Sequence, residues 1–92
     1  MAKKIVMYGS AECKDCVIAK EILDKEGIKY GYVDVLSGLG HLKRFITMRD
    51  AHREEFQSEI SSGHLGIPCF VVDSKEVYVQ LPKDLSVFRD EE

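Results

Sequence analysis

Apolar positions follow strand spacing and helical spacing in turn along the first third of the chain. In residues 4–8, Lys4 is followed by apolar, β-branched and aromatic residues without polar alternation, which predicts a short strand buried on both faces. A helical stripe with charged residues on its other side follows, and Gly27 is a suitable helix end. That stripe consists of Cys16, Ala19, Ile22 and Leu23. Residues 28–35 predict a second strand, so the segment has the size of a βαβ unit.

The remaining chain predicts helices first and then a hairpin. Apolar positions between about Leu39 and Ser62 recur at helical spacing but drift around the axis, which predicts two helices or one kinked helix. Residues 68–72 and 76–80 predict two strands joined by a turn at 73–74. A short final helix is expected from Leu81 to Phe88 with Pro82 near its first turn, and residues 90–92 read as a frayed tail.

This order of elements predicts an α/β fold in one domain. The sequence βαβ, then one or two helices, then ββα favours a four-stranded mixed sheet flanked by three to four helices. A chain of 92 residues supports one compact domain over 1–92, and it contains neither internal repeats nor a linker.

Composition and charge argue against nucleic-acid and membrane partners. Hydrophobic residues make up 45% and charged residues 32%, which is ordinary for a globular protein. The net charge is -3 and no basic run exceeds two residues, so we expect no nucleic-acid partner. No apolar run approaches the roughly 20 residues of a membrane helix, and we expect no membrane partner. The apolar stretch near the start is too short for a signal peptide, so the expected location is cytoplasmic.

Two of the three cysteines form a Cys13-x-x-Cys16 pair, and this pair is the main chemical signal. Cys13 follows a strand and lies at the expected start of a helix, where the helix dipole and free backbone N–H groups stabilise a thiolate. Cys16 lies one turn further on the same side, where it would resolve a mixed disulfide formed at Cys13. A C-x-x-C beside a βαβ pattern is typical of a thioredoxin-like redox motif.

Other roles for these thiols remain open at this point. The pair would be two buried structural cysteines, or half of a zinc site completed by Cys69 and His64. A binding protein without turnover would use the same cysteines to hold zinc or an iron–sulfur cluster. Cys69 itself is either a small core residue or a third redox or metal-ligating thiol.

Two stretches of the sequence resemble the glutaredoxin branch of the thioredoxin superfamily. They are residues 5–16, IVMYGSAECKDC, and residues 66–72, GIPCFVV. The resemblance implies a thioredoxin-like fold and a thiol–disulfide oxidoreductase with Cys13 as nucleophile and Cys16 as resolving thiol. It also implies a cis-proline at Pro68, whose neighbour Ile67 would offer backbone hydrogen bonds to a bound peptide or to glutathione. No metal or organic cofactor is required for this chemistry, and glutathione is a candidate co-substrate.

The sequence also departs from the usual glutaredoxin pattern. Lys14 and Asp15 replace the usual proline and tyrosine between the cysteines, and Ser10 replaces a usual lysine. The paired glycines and aspartates after the last hairpin, which hold glutathione in the family, are absent. With Lys14 as the nearest candidate cation for substrate binding, we expect weak glutathione binding. The expected partners are protein disulfides as substrates, and glutathione or a flavoprotein disulfide reductase as the reductant.

Overall fold

The computed structural model describes residues 3–89 and contains a four-stranded mixed sheet with helices on both faces. The strands are β1 (Ile5–Gly9), β2 (Gly31–Asp34), β3 (Cys69–Val72) and β4 (Glu76–Tyr78), and the helices are α1 (Lys14–Lys25), α2 (Leu39–Ala51), α3 (Gln57–Ser61) and a 3₁₀ helix at Leu85–Phe88. The strand order is β2-β1-β3-β4, with β1 parallel to β2 and both other pairs antiparallel. The predicted thioredoxin-like α/β fold is therefore confirmed.

Strand alternation in the two central strands divides the core into two clusters. Met7 pairs with Phe70, and both face the cluster formed with α1 and the 3₁₀ helix, here called the α1-side core. Tyr8 pairs with Cys69, and both face the cluster formed with α2, here called the α2-side core. Because both faces of β1 and β3 are covered, both strands consist largely of buried apolar residues, as the sequence predicts for β1.

The segment predicted as two helices or one kinked helix contains two helices. Residues 52–56 break the α-helical pattern between α2 and α3. Phe56 lies in this break and packs edge-on against Phe45 of α2, with 6.3 Å between the ring centroids. The drift of the apolar stripe therefore coincides with the break between the two helices, and both aromatic rings lie in one core.

Several predicted boundaries are wrong. β2 begins at Gly31 rather than residue 28, because the Ile28 N–H is bonded to the Leu23 carbonyl at the end of α1. β4 ends at Tyr78 rather than at residue 80. The final helix is a 3₁₀ helix that begins at Leu85, where the Asp84 carboxylate accepts the Ser86 N–H, so Pro82 precedes it. The tail at 90–92 lies outside the described residues.

No helix within residues 3–89 combines the length and the apolar character needed to cross a membrane.

Candidate active site

Cys13 is the N-cap of α1 and is partly exposed. Its backbone is extended, its N–H donates to the Ser10 carbonyl at 3.1 Å, and its sulfur accepts the Cys16 N–H at 3.2 Å. The sulfur therefore lies where the free N–H groups of the first helical turn point. This arrangement places a backbone N–H donor beside the Cys13 sulfur and leaves the Cys13 side chain partly accessible to solvent.

Cys16 lies one turn deeper and is fully buried in the α1-side core. Burial, and next a hydrogen bond with the Cys13 sulfur, raise the pKa of the Cys16 thiol to about 12. Cys16 is therefore a neutral thiol at physiological pH. Both cysteines are free thiols in the structure, so it describes the reduced pair.

The loop before β3 contains a cis peptide bond between Ile67 and Pro68, as the resemblance implies. Ile67 is partly buried and contacts the α1-side core, which Cys13 also contacts. Gly66 has φ +104°, and a Cβ there would lie 2.8 Å from the Phe56 ring. Arg49 of α2 donates to the Leu65 carbonyl at 2.8 Å. These contacts from the α2 side hold residues 65–68, here called the proline loop, in place.

Comparison with known proteins agrees with this arrangement. A family model described as Glutaredoxin matches residues 5–77, a range that includes Cys13, Cys16 and the proline loop. The chain belongs to the glutaredoxin family. An uncharacterized protein of Haemophilus influenzae is 33% identical over 88 residues, which cover 96% of this chain and 100% of that protein. The family assignment supports a redox-related function on a thioredoxin fold.

Lys14 and Cys69, two further candidate residues of this glutaredoxin domain, differ in their exposure. Lys14 is exposed as the first residue of α1. Cys69 is fully buried on the α2 side of the sheet, and burial raises the pKa of its thiol to about 12. Substrate binding by Lys14 and a redox role for Cys69 stay predictions.

The histidine considered as a zinc ligand is on the surface of the domain. His64 is exposed, and its Nδ1 lies 3.5 Å from a Glu59 carboxylate oxygen. Across residues 3–89, no group of three or more histidine, cysteine, aspartate or glutamate side chains is placed to hold a metal ion.

Gly9 is a site residue that sequence reasoning missed. The structure places it as the last residue of β1, paired with Asp34. A Cβ at Gly9 would lie 3.0 Å from the Cys16 sulfur and 3.2 Å from the Cys16 Cβ. The missing side chain therefore creates the space that Cys16 occupies. Only the three-dimensional contact identifies this role.

Tyr32 of β2 is a second neighbour of the cysteine pair that the sequence pattern does not identify. Its ring would lie 3.4 Å from a Cβ at Gly9, and the Lys20 ammonium lies 4.0 Å from the ring centroid. Burial raises the pKa of the Tyr32 phenol, and nearby Asp34 and both cysteine sulfurs act in the same direction. Tyr32 thus closes the β2 side of the site.

Arg49 is another residue whose role the sequence pattern does not reveal. Its side chain is partly buried over Phe45 and bonded to the proline loop. Nothing in the local sequence separates it from the exposed arginines Arg44 and Arg53, because the contact depends on how α2 packs beside residues 63–66.

Proposed function

We propose that this protein is a dithiol thiol–disulfide oxidoreductase that reduces protein or mixed disulfides through Cys13 and Cys16. The observation that carries the proposal is the asymmetry of the pair. One sulfur is partly exposed and accepts a helix N–H at 3.2 Å, and the other is buried directly behind it as a neutral thiol. An attacking thiolate and a protected resolving thiol need these two environments.

The proposed reaction has two exchange steps. The Cys13 thiolate attacks one sulfur of a substrate disulfide, which forms a mixed disulfide and expels the first substrate thiolate. Cys16 then loses its proton to solvent and attacks the Cys13 sulfur, which forms the Cys13–Cys16 disulfide and expels the second substrate thiolate. Both expelled thiolates take up protons, so two electrons pass from the protein to the substrate.

Mixed-disulfide formation changes the surroundings of Cys16. In the reduced protein, the hydrogen bond between the two sulfurs helps to keep Cys16 protonated. Once the Cys13 sulfur is bonded to substrate, it carries no thiolate charge, so this contribution to the raised pKa of Cys16 is lost. Burial, the larger cause of the raised pKa, remains, so mixed-disulfide formation removes one of the causes that keep Cys16 protonated.

The oxidised pair must be reduced again by a thiol donor. Two glutathione molecules, or a flavoprotein disulfide reductase, would supply the two electrons, and no metal or organic cofactor takes part in either exchange. We infer that, as substrates, protein disulfides are preferred to mixed disulfides with glutathione. The lysine usual before the nucleophile is Ser10, which is 2% exposed and accepts the Glu12 N–H, so it offers no cation to a carboxylate.

A turnover assay with single cysteine variants tests the proposal. With dithiothreitol as reductant, the protein should accelerate reduction of the insulin disulfides. Cys13→Ser should abolish the acceleration, and Cys16→Ser should strongly reduce it. Cys69→Ser is the matched control, because it removes a cysteine from the other side of the sheet and should retain most activity. Equal activity of Cys13→Ser and the unmodified protein would refute the proposal.

A further inference from the structure

A groove of about 230 Å³ runs between α1 and the segment after β4, next to the cis-proline. Its lining residues are Asp15, Ile18, Ala19, Pro68, Gln80 and Leu81. We propose that this groove binds the polypeptide on one side of the substrate disulfide and selects an aliphatic side chain together with a lysine or arginine. The inference rests on the proposed function and names its substrate class.

The groove lies beside the cysteine pair, because Asp15 of its lining stands between the two cysteines in the sequence. Asp15 lies two positions after Cys13 in the first turn of α1 and forms one end of the lining. Pro68 forms part of the same lining, and its neighbour Ile67 contacts the α1-side core together with Cys13. The groove is therefore the apolar surface that a polypeptide bonded to the Cys13 sulfur would meet on the Asp15 and Pro68 side.

The walls of the groove are apolar. Ile18 is 51% exposed although it is a large aliphatic residue, and Leu81 opposite is half-buried. Ala19 and Pro68 are buried and form apolar surface between them. An aliphatic side chain of the substrate would remove this surface from water, which favours binding in proportion to the apolar area buried.

The charge of the groove disfavours glutathione. Asp15 is the charged lining residue, Gln80 is neutral, and no lysine, arginine or histidine within residues 3–89 lines it. A glutathionyl group carries two carboxylates and one ammonium, so its net negative charge meets the Asp15 carboxylate. A lysine or arginine of a peptide would instead pair with that carboxylate, which gives selectivity by attraction and by repulsion.

A disulfide-exchange equilibrium tests this inference. The Cys16→Ser variant retains a mixed disulfide at Cys13, and its glutathionyl form is mixed with short peptide thiols of equal length. One peptide has leucine and lysine beside its cysteine, a second has serine for the leucine, and a third has glutamate for the lysine. The populations of the mixed disulfides are measured by mass spectrometry after acid quenching. The same exchange in unfolding urea gives the intrinsic differences between the thiols.

We expect the folded protein, relative to the unfolded one, to favour leucine over serine by about tenfold. It should favour lysine over glutamate by about two- to fivefold, because the pair with Asp15 is exposed to solvent. Asp15→Asn should remove the lysine preference and retain the leucine preference, and Leu81→Ser should do the reverse. Glu21→Gln is the matched control: it removes a carboxylate from the same helix, outside this groove, and should change neither preference.

The outcomes separate the two proposals. The groove inference is overturned if mixed disulfides form at Cys13 without these preferences, or if glutathione is retained against every peptide. The oxidoreductase proposal would still stand in both cases. If no mixed disulfide forms at Cys13 with any thiol, the oxidoreductase proposal fails and the groove inference fails with it.

Discussion

Replacing Gly9 with alanine perturbs the site at its most closely packed point. The new methyl group would lie 3.0 Å from the Cys16 sulfur and 3.2 Å from its Cβ. Carbon and sulfur atoms in ordinary contact are more than half an ångström further apart, so the Cys16 side chain or β1 must move. Both are held firmly, since Cys16 is fully buried and Gly9 accepts the Val35 N–H at 2.9 Å. Overpacking of this kind costs about 1–3 kcal/mol.

Urea unfolding measures this cost, and we expect Gly9→Ala to destabilise the reduced protein by that amount. Gly40→Ala is the matched control, because an added Cβ there meets nothing within 4 Å and the residue lies in α2. Its stability should rise by up to about 1 kcal/mol, since alanine favours helices. The cost of Gly9→Ala should fall when Cys16 is also replaced by alanine, which removes the closer of the two contacts.

The kinetic effect of Gly9→Ala should be confined to the second exchange step. A displaced Cys16 resolves the mixed disulfide more slowly, whereas first attack by Cys13 should change little. Stopped-flow measurements on the unmodified and Cys16→Ser backgrounds separate the two steps. Unchanged stability together with unchanged resolution would refute the packing argument at Gly9.

Three other properties of the thiols follow from the structure. Iodoacetamide near neutral pH should label Cys13 well before Cys16 or Cys69, because Cys16 and Cys69 are buried and their pKa values are raised to about 12. Peptide mapping that finds Cys16 labelled first would reverse the assigned roles. The free energy of unfolding should fall as pH rises above about 9, because the unfolded chain then releases thiol protons that the folded chain retains. Cys69→Val should reduce the slope of unfolding free energy against pH by up to about 1.4 kcal/mol per pH unit. An unchanged slope in urea titrations would contradict this. Steady-state reduction of a glutathionylated peptide by glutathione should be slow, since one missing charge-assisted contact costs about 1.5–3 kcal/mol; turnover similar to insulin reduction would contradict this.

The sequence could predict those parts of the fold and site that depend on local pattern. The buried strand β1, the cysteine pair at the start of α1 and the hairpin of β3 and β4 follow from periodicity, glycine positions and the C-x-x-C spacing. The cis bond before Pro68 came from the family resemblance, because most bonds before proline are trans.

The remaining features depend on contacts between segments that are distant in sequence. The Ile28 N–H donates to the Leu23 carbonyl at the end of α1, so β2 is shorter than strand propensity predicts. Arg49 acquires its bond to Leu65 only when α2 packs beside the proline loop. The role of Gly9 requires the position of Cys16 relative to β1. Each of these features was therefore visible only in the folded chain.

A single-turnover experiment tests the central claim most directly. Fully reduced protein is mixed with one equivalent of a peptide disulfide, quenched with acid, alkylated after unfolding and mapped by mass spectrometry. The account predicts two released peptide thiols per protein, a Cys13–Cys16 disulfide and an alkylated Cys69. Peptide disulfide that remains intact, or a product disulfide that contains Cys69, would contradict it.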